Sequence, residues 1–147
     1  MTPPIACGRR VALRAAAALA LSALAPTLAA QDPRGVEAQS AARVWLLVTD
    51  RGDAAASWAA ADSKFRDAMS VERWTAALQK IRGPLGPLVQ RSVLSTRFAK
   101  SLSGFPPGDY AMVVFRSSFS NQTGVQETVT LDRDSAGIWR VVGYAIA

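Results

Sequence analysis

The chain contains no histidine, and its single cysteine is Cys7. These two scarcities exclude Cys–His and Ser–His–Asp nucleophilic catalysis, and with them zinc sites built from imidazole or thiolate ligands. With one thiol there is no intramolecular disulfide either, so apolar packing has to hold the fold. Long apolar runs are equally scarce. The longest, Ala15–Ala25, is broken only by Ser22, and it is well short of the roughly twenty residues that a membrane-spanning helix needs.

That run has a different meaning. Arg9, Arg10 and Arg14 precede it and "TLAAQD" follows it, the charged, apolar and small-residue order of a secretory signal peptide. Cleavage is expected after Ala29 or Ala30, leaving residues 31–147 as a single periplasmic or secreted domain without a stable membrane anchor. The paired arginines suggest a twin-arginine signal, but the rest of that motif is missing and ordinary Sec export is the plainer reading. Cys7 lies before the apolar run, which excludes a lipoprotein cysteine. The full chain has 17 basic and 11 acidic residues, for a net charge of +6. Three of the basic ones lie in the signal, so the mature balance is +3, and its charges are interspersed. Nucleic acid is therefore not an expected partner, because such a partner wants cations gathered on one face.

What is present divides the mature chain into a helical half and a strand half. Ala41, Val44, Trp45 and Val48 recur at helical spacing and predict a first helix over 36–50, ended by the "RGD" turn at 51–53. A second helix over 54–68 sets Trp58, Ala61 and Phe65 on one side and Asp62, Lys64 and Arg66 largely on the other. Ser70 is a good N-cap for a third helix, Glu72 suits its first turn, and Met69 with Trp74 occupies the positions of a hydrophobic staple. Trp74, Ala77, Leu78 and Ile81 then form its inward stripe, and "RGPLGP" stops it.

After residue 87 the period becomes two. "LVQRSVLSTRF", "YAMVVFRSSF", "VQETVTL" and "IWRVVGYAIA" read as four strands, joined by "GFPPGD", "SNQTG" and "DRDSAG". Strands in sequence with short connections make an antiparallel meander, and helices followed by a meander argue an α+β domain with the helices on one face of a curved sheet. In the last strand strict alternation puts Ile138, Arg140, Val142, Tyr144 and Ile146 on one face, and Trp139, Val141, Gly143 and Ala145 on the other. Both faces are largely apolar. The second is therefore expected to be covered by sheet curvature, by loops or by another subunit, and Gly143 is expected to mark a bend or bulge.

The ordered series "RVWLLVTD", "VERWTAAL", "RGPLGPLVQR", "VVFRSSFSN", "ETVTL" and "WRVVGYAI" resembles the bacterial family called domain of unknown function 4019. The resemblance covers essentially the whole mature chain and implies an exported protein with no established activity. The layout is also similar, at the level of fold alone, to the cystatin-like roll of nuclear transport factor 2-like domains.

The candidate site residues are Trp58, Arg91, Glu127 and Tyr144. Glu127 shares a strand face with Val125, Val129 and Leu131, so a carboxylate there needs a partner, and Arg91, Arg116 and Arg140 are the available cations. Asp50, Asp53, Asp132 and Asp134 read as helix-end and hairpin residues. "DRDSAG" lacks the spacing and closing Glu of a calcium loop, and no metal or cofactor is expected. Two functional classes follow. One is a non-catalytic module that binds a small apolar ligand or a protein partner between sheet and helices, or that forms a homodimer through the sheet's open face. The other is a small pocket enzyme moving protons with Glu127 and Tyr110 or Tyr144. A lone carboxylate flanked by arginines favours binding.

Overall fold

The computed structural model describes residues 31–147, so the expected signal peptide, with its cleavage point and Cys7, lies outside the described residues. Four helices come first: α1 (Pro33–Asp50), α2 (Ala54–Ala60), α3 (Ser63–Ala68) and α4 (Val71–Arg82), followed by a 3-10 turn over Gly83–Leu85. The strands are β1 (Leu88–Ala99), β2 (Tyr110–Phe119), β3 (Val125–Arg133) and β4 (Trp139–Ile146). They pair antiparallel in the order β1-β2-β3-β4, and α1 crosses all four. The protein is therefore α+β, with N-terminal helices packed on a four-stranded meander, as the change of period indicates.

Each helix begins at a side-chain cap. Asp32, Asp53, Asp62 and Ser70 accept hydrogen bonds from the backbone N–H groups of Arg34, Ala56, Lys64 and Arg73, which satisfies donors that have no partner within the helix. The single helix expected over 54–68 is in fact two. The Asp62 carboxylate takes the Lys64 N–H at 2.8 Å while its own N–H donates to the Val141 carbonyl at 2.8 Å. This local competition interrupts the helix and ties the helical layer to β4.

The buried stripe of α1 is also rotated from the expected one. Ala38, Ala42, Trp45, Leu46 and Thr49 are buried, whereas Val44 is 61% exposed. Small side chains let the helix backbone approach the sheet, so the alanines take the contact and the bulkier Val44 faces outward. In α4 the expected stripe holds at Trp74 and Leu78, both buried.

Between the layers, Trp74 touches Trp45, Phe65 and Tyr144, with ring centroids 5.8, 5.1 and 6.2 Å away. Val113, Phe115, Val129 and Leu131 supply the sheet side of this core. A smaller cluster of Leu85, Phe119 and Val125 closes the end where α4 hands over to β1. Gly86 makes that handover with φ +73°, and a Cβ there would lie 2.2 Å from the Ser120 hydroxyl, so glycine is required.

β4 corrects the reading of two apolar faces. Thr130 pairs with Gly143 but Leu131 pairs with Val141, so Val142 is an extra, bulged residue beside the glycine expected to mark it. The bulge reverses the alternation, and Trp139, Val141, Tyr144 and Ile146 all point to the helix side. On the other face, Gly143 and Ala145 lie opposite Thr130 and Thr128, so that face is less apolar than strict alternation indicates, although Val142 is itself buried. One end of that outer face is covered by the β1–β2 loop, where Phe105 packs on the buried Tyr110 at 5.8 Å.

Candidate functional site

Glu127 is wholly buried on the helix-facing side of β3, where an unpaired carboxylate would cost several kcal/mol. Every strand and two helix ends answer it. Arg91 of β1 donates through Nε to Oε2 at 2.6 Å, and Ser117 of β2 donates to the same oxygen. Tyr144 of β4 donates its phenol to Oε1 at 2.6 Å, joined by Arg82 Nη1 from the end of α4 at 3.4 Å. Asp50, the last residue of α1, completes the cluster. Its two oxygens accept from Arg91 Nη1 and Nη2 at 2.8 and 2.9 Å, and from Arg82 Nη2 at 2.6 Å. Arg82 also lies 4.8 Å above the Phe119 ring.

The cluster holds two cations and two anions and is neutral overall. Burial opposes the charge on Asp50, but hydrogen bonds from Arg91 and then Arg82 outweigh it and leave the carboxyl below its ordinary range. Burial likewise opposes the charge on Arg91, and bonds to Asp50 and Glu127 reverse that and hold the guanidinium protonated. Burial, with the negative charge of Glu127 beside it, pushes the Tyr144 phenol far up. Asp50 and Arg82 border a surface cleft of about 380 Å³ between the α1–α2 turn and α4.

Of the residues singled out from sequence, Arg91, Glu127 and Tyr144 are brought together here. Trp58 is not among them, and its indole N–H donates to the Met69 carbonyl at 2.7 Å within the helical layer. Arg116 and Arg140, offered as partners for Glu127, are exposed and pair in register with Ser92 and Asp132 on the outer face. Sequence reasoning missed Arg82, Ser117 and Asp50. One signal existed for Asp50: a carboxylate at a helix C-terminus is unfavourable against the helix dipole and has to be held by something else. Asp53 and Asp134 are the cap and hairpin residues they were read as, whereas Asp132 is ion-paired to Lys64.

A second feature lies at the other side of α1. A groove of about 630 Å³ runs between α1 and the start of β4, lined by Val36, Val44, Ile138 and Trp139 among others. Val36, Val44 and Ile138 are 50%, 61% and 49% exposed. On the β4 side the lining is continuous from Gly137 to Val141. Consecutive strand residues point to opposite faces, so a groove that touches all of them is walled by the strand's open edge. β4 is an edge strand of the sheet, so part of its backbone faces away from the ladder, and of these groups the Val141 carbonyl is already taken by the Asp62 N–H.

Residues 41–144 match the family model described as "Protein of unknown function (DUF4019)". No curated protein matches the chain.

Proposed function

The chain belongs to the DUF4019 family, and we propose that it is an exported, non-catalytic binding module whose groove between α1 and the β4 edge seats an extended apolar segment of a protein partner. The continuous lining from Gly137 to Val141 carries this reading. A strand laid there would add to the sheet through main-chain hydrogen bonds and place alternate side chains against Val44 and Ile138. The space between helices and sheet, where a small apolar ligand would otherwise sit, is occupied by Trp45, Trp74, Phe65 and Tyr144. Proton-transfer chemistry at Glu127 is disfavoured by contacts alone: the carboxylate already accepts from Arg82, Arg91, Ser117 and Tyr144 and has no exposed surface.

A synthetic hexapeptide of alternating valine and threonine tests the proposal. Titrated into the protein, it should slow amide exchange at Trp139, since the Gly137 and Ile138 N–H groups already donate to Asp134. Ile138→Asp, at an exposed position, should weaken the peptide about tenfold or more by burying an unpaired charge, with an unchanged thermal midpoint. A peptide that protects no β4 amide, while an apolar dye binds the same groove, would overturn the protein-partner reading in favour of a small apolar ligand.

A further inference from the structure

The face of the sheet turned away from the helices has a pattern of its own. Among the described residues the sheet has three register shifts, and each inserts one apolar residue: Val89 between Leu88 and Gln90, Leu94 between Val93 and Ser95, and Val142 beside Gly143. Leu88 and Val93 pack into the cores, whereas Val89 and Leu94 are 69% and 48% exposed and turn outward. Val142 is buried but belongs to neither core cluster, so it faces away from the helices too. A bulge adds a residue while the pairing on either side of it continues, and here each addition puts an apolar side chain on the outer face.

Cross-strand pairing orders the rest of this face. Its middle is uncharged: Leu94 and Ser95 beside Val114, Thr128 and Ala145, then Met112 with Thr130 and Gly143. The charges stand around it, with Arg97 opposite Met112, Arg116 opposite Ser92 and Arg140 opposite Asp132. Arg97 and Arg116 are exposed, and among the described residues neither pairs with a carboxylate. Arg140 meets Asp134 at 3.4 Å, and Asp132 is buried and held by Lys64. An uncharged middle with arginines at its margin is the anatomy of a protein interface, in which Arg is enriched and Lys depleted.

The sign of the margin selects the partner. A second copy of this chain would bring the same arginines and no free carboxylate, and like charges face to face oppose association. An anionic membrane shares the complementary charge, but Met112, Val114, Thr128 and Thr130 are half-buried among their neighbours, which suits interdigitating side chains better than acyl chains. We propose that the outer face of the sheet docks a protein partner whose contact surface is apolar at its centre and acidic at its margin. Leu94, Met112 and Val114 meet the centre, and Arg97 and Arg116 meet the carboxylates. This surface lies across the sheet from the groove beside α1 and stands without it.

The probe is a synthetic amphipathic helical peptide with leucines on one face and glutamates flanking them. Titrated into the purified protein, it should move the methyl resonances of Leu94 and Met112 saturably, and the same peptide with lysine for glutamate should not. Arg97→Glu and Arg116→Glu, both at exposed positions, should each weaken the acidic peptide about fivefold with an unchanged thermal midpoint, and the double variant should bind the lysine peptide instead. Ile138→Asp, in the groove, should bind the acidic peptide as wild type does. Methyl resonances that the acidic peptide leaves in place, or an affinity that neither charge reversal changes, overturn the proposal. A dimer in sedimentation that Leu94→Asp dissociates would overturn it in favour of a second copy. Flotation with phosphatidylglycerol vesicles that Leu94→Asp abolishes would overturn it in favour of a membrane.

Discussion

Asp50 ends α1 with a negative charge at the negative end of the helix dipole, and only Arg91 and Arg82 make that position tolerable. Their hydrogen bonds hold its carboxyl below the ordinary range against the opposing effect of burial. A group whose folded pKa lies below its unfolded value contributes stability above the unfolded pKa, about 3.9 for Asp, and loses it as pH falls through the folded value. Stability should therefore drop as pH falls below about 4. Asp50→Asn should be less stable than wild type at pH 7 and should lose less on further acidification. Urea midpoints at pH 7 and pH 3 measure both effects, and parallel losses in the two proteins would remove Asp50 from the acid limb. Glu127 was legible as a group needing a partner because it interrupts the apolar face of Val125, Val129 and Leu131. Asp50 and Arg82 were less so, since charges at helix ends are ordinarily solvated.

At the scale of elements, one bulged residue decides which way the site's tyrosine points. Strict alternation would put Tyr144 and Val141 on opposite faces, and Val142 puts them on the same one. Tyr144→Phe should leave Glu127 without its phenol donor while the bulge is kept. The expected loss is about 1–3 kcal/mol, the scale of leaving a buried acceptor without one partner. It should appear as a lowered denaturant midpoint together with a changed tyrosine signal in near-ultraviolet circular dichroism. A wild-type midpoint would mean that the phenol does not support Glu127. The same element-level lesson applies to α1. Its circumference is apolar in more than one direction, so periodicity proposed a stripe through Val44, whereas contact with the sheet selected the small residues Ala38 and Ala42.

For the whole molecule, the proposed export makes a direct prediction. The mature protein should begin at Ala30 or Gln31 and be recovered from the periplasm, as intact-mass measurement of that fraction would show. A species that retains Arg9 and Arg10 would refute the signal-peptide reading. Among the described residues no helix is long and apolar enough to cross a membrane. The groove and the neutral ionic cluster occupy separate parts of one helix-on-sheet body, so surface variants at one should leave the other intact unless they unfold the chain.

By itself the sequence determined the order and kind of the elements, because period, capping residues and breakers act over a few residues. The change of period after residue 87, the Ser70 cap and the strand limits of β2 are all local signals of this kind. Only the tertiary structure decided which face each element buries and which charges meet. Arg91 and Glu127 are brought together by strand register, and Asp50 and Arg82 by the docking of two helix ends. The exposure of Val44 depends on what packs nearby, and packing is set by side chains far apart in the chain.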